Sequence, residues 1–117
     1  MTTIDMPMSE EDWKHTRTKV YIVNQSAHDF SPAKRFGEVI FLSKGPMNRY
    51  SAANMVRQFT EVMKDSCEDD YIVPCSLNVM NSIASAIFAQ KHGCLNLLLF
   101  KGGDYLERNV VFEGVTK

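Results

Sequence analysis

Short apolar runs alternate with amphipathic stretches along most of this chain. Lys19 to Val23 (KVYIV) is apolar and β-branched, the character of a strand buried on both faces. Glu38 to Leu42 (EVIFL), Tyr71 to Val73 (YIV) and Leu95 to Phe100 (LNLLLF) repeat it. From about Asn48 to Asp65 the period changes. Ala53, Val56, Phe59 or Thr60, and Met63 recur every three or four residues, which predicts a helix with one apolar stripe. A second helix follows, with Met80, Ile83, Ala84, Ile87 and Phe88 on one face. Its end is well marked. Lys91 and His92 suit the negative end of the helix dipole as cations, and Gly93 suits the left-handed cap position.

The connections are equally legible. Ser31-Pro32 starts a single helical turn through Arg35, which Gly37 ends. Ser43-Lys44-Gly45-Pro46 breaks the second strand sharply, and Pro74 marks the end of the third. Lys101-Gly102-Gly103-Asp104 reads as a hairpin turn into a last antiparallel strand, Tyr105 to Phe112. The order is β, short α, β, α, β, α, β, β. Strands separated by helices favour parallel pairing. The expected fold is a small three-layer, Rossmann-like α/β domain, mainly parallel, with a C-terminal antiparallel hairpin. A two-layer α+β fold with both helices on one face is the alternative. Residues 1–18 lack apolar periodicity and read as a flexible N-terminal arm, with residues 19–117 as one domain. Trp13 is the arm's exception, able to dock it onto the body or onto a partner.

In open parallel sheets, ligands bind beyond the carboxyl ends of the strands. Four polar sets follow the four predicted parallel strands. They are Asn24, Gln25, Ser26, His28 and Asp29; then Ser43, Lys44, Gly45, Asn48 and Arg49; then Ser76, Asn78 and Asn81; and finally Lys101. If the strands are parallel, all four lie on one rim. Two of the sets also lead into helices, whose N-termini favour anions. Ser26, His28, Lys44, Gly45, Asn48, Arg49, Ser76 and Asn78 are therefore the candidate ligand-binding residues, suited to phosphate and sugar hydroxyls. No P-loop or complete dinucleotide fingerprint is present. Ser76 or Asn78 also reads simply as an N-cap, and Lys44-Gly45 as a strand-to-helix turn.

His28 and Asp29 are the only candidates for acid–base chemistry. Ser26, His28 and Asp29 are too close in sequence to form a nucleophilic relay, whose members converge from separate segments. Cys75 is a reactive thiol only if the second long helix begins beside it, where its pKa would fall. The other two cysteines, Cys67 and Cys94, complete an odd and widely spaced set that is neither a disulfide framework nor a zinc pattern. No metal or cofactor is implied. A net charge of −1 argues against nucleic-acid or membrane-surface binding, both of which call for a basic surface. The acidic opening MTTIDMPMSEEDW has none of the regions of a signal peptide, so the expected location is the cytoplasm.

The stretches VYIVNQSAHDFSPAKRFGEVIFLSKG and SLNVMNSIASAIFAQKHGCLNLLLFKGG resemble a group of short bacteriophage-encoded α/β proteins, over roughly residues 19–112. The resemblance implies a phage protein working in the bacterial cytoplasm. Such proteins include counter-defence factors, some of which sequester nucleotide signals of host immunity. Three functional expectations follow. The first is a sponge or sensor for a small phosphorylated ligand, as a homo-oligomer. The second is an enzyme on nucleotides or nucleosides using His28 and Asp29. The third is an inhibitor of a host protein that makes contact through Trp13, the acidic arm and the hairpin edge.

Overall fold

The computed structural model describes residues 18–46, 48, 50–75 and 77–112. The predicted arm, apart from Thr18, lies outside the described residues, as do Arg49 and Ser76. Five strands form one sheet: β1 (Lys19–Ile22), β2 (Glu38–Phe41), β3 (Tyr71–Val73), β4 (Cys94–Lys101) and β5 (Asp104–Val111). A 3₁₀ turn, Ser31–Phe36, joins the first two. Helices α1 (Ala52–Val62) and α2 (Asn78–His92) precede β3 and β4. The strand order is β2-β1-β3-β4-β5, parallel except for the antiparallel β4–β5 pair. The α/β fold with its C-terminal hairpin is therefore the one the hydrophobic pattern implies.

The layers are unequal, and alternation along β1 explains how. Tyr21 points to one face, with Met55, Phe59 and Met63 from the α1 segment and Met80, Ala84 and Phe88 from α2. Val20 and Ile22 point to the other, with Phe30, Ala33, Val73, Leu98 and Tyr105. Both long helices cover the first face. Among the described residues the second carries only the 3₁₀ turn. The chain steps from β1 outward to β2 beneath that turn, then returns across β1 to β3 with α1 on the opposite face.

Two details of the helical reading change. On α1 the buried positions are Met55 and Phe59, while Ala53 and Val56 face solvent. The stripe keeps Phe59 and Met63 and takes Met55 in place of Ala53 and Val56, because methionine packs against the sheet as readily as valine. The helix also starts later than Asn48. The Asn48 side chain accepts the Tyr50 N–H at 2.9 Å and its carbonyl accepts that of Ser51 at 3.0 Å, a local turn that competes with helix.

Glycine matters most at two places. A Cβ on Gly37 would lie 2.5 Å from the Thr18 carbonyl oxygen, the same oxygen that accepts the Glu38 N–H. Gly102 and Gly103, with φ of 62° and 87°, make the two-residue hairpin that the strand twist favours.

The amino ends of the parallel strands hold a dense polar cluster. Asp70, 1% exposed, accepts the backbone N–H groups of Lys19 and Cys67 and lies 3.4 Å from the Lys19 ammonium. The Asn96 amide donates to the carbonyls of Glu68 and Asp70. Lys91 reaches across from α2 to donate to the Met63 and Lys64 carbonyls, closing the end of α1. His92 was expected to act as a cation at the helix end. Instead its Nε2 is 2.8 Å from the Ser66 hydroxyl, and burial holds its pKa below the ordinary histidine value, which disfavours the cation.

The two sheet edges differ as well. Four-residue β2 has Gln58 of α1 donating to the Leu42 carbonyl just beyond it. Eight-residue β5 is exposed at every position but Tyr105. Arg35 donates to the Tyr105 carbonyl at 3.3 Å, and Arg108 to the Glu107 carbonyl at 2.8 Å.

Candidate functional site

Parallel pairing of β1 to β4 puts the described residues that follow each of these strands at the same end of the sheet. The direction of chain travel reverses at β1, so the crevice of this sheet type falls between the carboxyl ends of β1 and β3. There the Cys75 thiol is directed at the Asn24 carbonyl, 3.5 Å away, and the Cys75 N–H bonds the Asn81 side chain. Burial raises the Cys75 pKa, outweighing its backbone hydrogen bonds. This is a structural thiol and not an activated one.

Several of the polar residues are committed to the fold. Ser43, 3% exposed, donates to the Val23 carbonyl and to the Asn24 side chain. Lys44 continues the β1–β2 pairing through a bridge to Gln25, and the Gly45 N–H donates to the Gln25 carbonyl. Gly45 has φ of 72°, with open space where a Cβ would stand. Lys44 itself is exposed. Asp29 accepts the Ser31 N–H at 3.0 Å, and bonding to Ser31 holds its carboxyl below the usual range. It anchors the start of the 3₁₀ turn. His28 packs edge-on against Phe30 and Phe100, with ring centroids 4.8 and 4.7 Å apart.

The remaining candidates divide between the two faces. Ser26, His28 and Asp29 line a cavity of about 240 Å³ on the 3₁₀ side, together with Lys34. On the helical side Asn48 lines a polar cavity of about 560 Å³ with Ser51, Asn54, Arg57 and Gln58. Asn78 lines a third, of about 360 Å³, with Tyr50, Leu77 and Val79. That cavity is bounded by the residues leading into α1 and by the first turn of α2, so both long helices begin beside it. Neither helix has a side-chain cap or an acidic residue in its first turn. Asn78 was expected as an N-cap, but Leu77 occupies that position and Asn78 is the first helical residue. Its amide is exposed and free of the capping role.

Sequence reading missed Tyr50, which is 86% exposed, because nothing in a loop aromatic says whether it will pack. It also missed Ser51, Asn54 and Arg57, which fall outside the apolar stripe of this segment. Arg57 is bonded to the Asn54 side chain, one turn from the helix start. Asn48 and Arg57 line one cavity, and Tyr50 and Asn78 line the other; a helix N-terminus and an amide are groups that suit an anion.

Among the described residues no group of three or more His, Cys, Asp or Glu side chains is placed to hold a metal ion. None of their helices is long and apolar enough to cross a membrane. No curated protein and no solved structure matches the chain. The phage Pam3 gp32-like family matches it over residues 18–112, from the residue before β1 to the residue after β5, and the chain belongs to that phage protein family.

Proposed function

We propose that this phage protein binds a small phosphorylated, nucleotide-like ligand at the carboxyl rim, with its phosphate at the N-termini of α1 and α2. The observation that carries the reading is the cavity lined by Tyr50, Leu77, Asn78 and Val79. It adjoins two helix starts that have no cap and no first-turn carboxylate to compete with an anion. Lys44 and Arg57 add positive charge nearby, and Arg49 and Ser76 adjoin the same helix starts in sequence. Tyr50 offers a ring face on which a base can stack. A ligand held without turnover would make the chain a sponge for a nucleotide signal of host immunity, acting in the bacterial cytoplasm.

The test is native mass spectrometry of the purified chain, followed by denaturation and identification of any released small molecule. Thermal melting with inorganic phosphate and with nucleoside mono-, di- and triphosphates complements it. A nucleotide-like mass released intact, and melting raised by nucleotides in the parent but not in Tyr50→Ala or Asn78→Ala, is the expected result. Equal melting of parent and variants with every phosphate overturns the assignment.

A second reading has its own observation. Among the described residues, six of the eight exposed large hydrophobics fall between Leu99 and Phe112. Leu99, Leu106 and Val110 share the face of the hairpin that packs beside α2. This supports contact with another protein, a host factor or a second copy. Leu106→Glu should then abolish the complex while leaving phosphate binding intact.

A further inference from the structure

The sheet face that carries the 3₁₀ turn is covered only in part. Toward the amino ends of the parallel strands it opens into a groove of about 470 Å³ that runs from Thr18 to Val111. Its charge is one-sided. Glu68, Asp69 and Glu107 line it, and no Lys, Arg or His among the described residues does. None of these carboxylates belongs to an ion pair among the described residues. Glu107 receives only the neutral donors Tyr71, at 3.2 Å, and Asn109, at 3.3 Å. Three carboxylates in one groove create a negative potential that favours a cation. At the far end Val111 is 63% exposed, an apolar side chain with nothing over it among the described residues.

The chain enters this groove at Thr18. The residues just before it, Trp13-Lys14-His15-Thr16-Arg17, lie outside the described part and carry two permanent cations and the only tryptophan. Length also fits. Five extended residues span at most about 17 Å. From β1 across β3 and β4 to β5 is three strand spacings, roughly 14 Å. A segment leaving Thr18 along the groove therefore reaches Val111 at about the position of Trp13.

We propose that the segment Trp13–Arg17 is the occupant of this groove, with Lys14 and Arg17 against Glu68, Asp69 and Glu107 and the indole over Val111. This proposal stands apart from the ligand reading at the opposite rim.

Because Trp13 is the sole tryptophan, fluorescence of the full chain reports it alone. The expected result is blue-shifted emission and acrylamide quenching several-fold weaker than for free N-acetyltryptophanamide. Both should move toward the free values in the Glu68→Lys, Asp69→Lys double variant. Those two side chains are exposed, and circular dichroism should report an unchanged fold. Emission matching the free indole in the parent overturns the proposal. So does a shielded indole that the double variant leaves unmoved, and protection that grows with protein concentration would then identify a second copy as its cover.

Discussion

The two rims of the parallel sheet are built from similar polar residues and use them in opposite ways. At the amino rim, on the helical side, polar groups serve each other. Asp70 joins the starts of β1 and β3, His92 meets Ser66, and Lys91 closes α1. At the carboxyl rim two helices begin with neither cap nor acidic first turn, and Lys44, Tyr50 and Asn78 stand in solvent. The difference teaches where to look for binding. A polar group that the fold has satisfied stabilises; one that it leaves open is available to a ligand. Both helix dipoles point their positive ends at the open rim, so the asymmetry is electrostatic as well as geometric.

The sharpest way to break this comparison is Asp70→Ala. It removes the buried carboxylate that lies against the Lys19 ammonium and accepts two backbone N–H groups, and should cost about 3–5 kcal/mol. Urea denaturation checks it. A loss below about 1 kcal/mol would mean that the amino rim is not the structural one. Gly37→Ala comes next, because its new methyl group meets the Thr18 carbonyl. A loss of about 2 kcal/mol is expected, and a wild-type midpoint would contradict the close approach. Lys91→Met keeps the aliphatic stem and removes the hydrogen bonds to the Met63 and Lys64 carbonyls, for about 1 kcal/mol by the same measurement. Lys44→Ala and Asn78→Ala at the other rim should stay within about 0.5 kcal/mol of the parent. A larger loss would show these residues to be structural and remove them from the site.

The smallest expected effect is the dependence on pH. Burial, the first cause, holds the His92 pKa in the folded chain below its unfolded value. Between those two values the unfolded chain binds the extra proton, so stability rises with pH in that window. On acidification it should begin to fall as pH drops through the unfolded value of about 6.5. Melting measured from pH 7.5 to 5.5 should therefore show a decline that His92→Gln reduces. An identical slope in that variant would assign the decline to other groups.

Elements whose signals are local were readable from the residues alone. Gly93 takes φ of 74° at the end of α2, the two glycines form the hairpin turn, and Gly37 ends the 3₁₀ turn. The apolar runs became strands within a residue or two. Features that depend on strand order were not readable. Nothing local to Tyr50 or to Leu77 and Asn78 says that they border one cavity, since the crossovers from β2 to β3 and from β3 to β4 must run in the same direction to put both helices on one face. His28 and Asp29 read as candidates for acid–base chemistry on the loop after the first strand. The fold directs one at Phe100, which is 72 residues away in the chain, and the other at the backbone of Ser31. Asp70 passed unnoticed because its role needs the Lys19 strand beside it, 51 residues earlier.

The two arginine contacts on β5 bear on how concentrated solutions of this protein behave. An exposed eight-residue edge strand is a template on which another chain can add, and repeated addition builds a fibril. Here the Tyr105 and Glu107 carbonyls already receive guanidinium groups. A second strand would have to displace charge-assisted hydrogen bonds and seat itself beside two cations. Arg35 and Arg108 thus raise the cost of adding a strand to β5, the longer of the two sheet edges among the described residues.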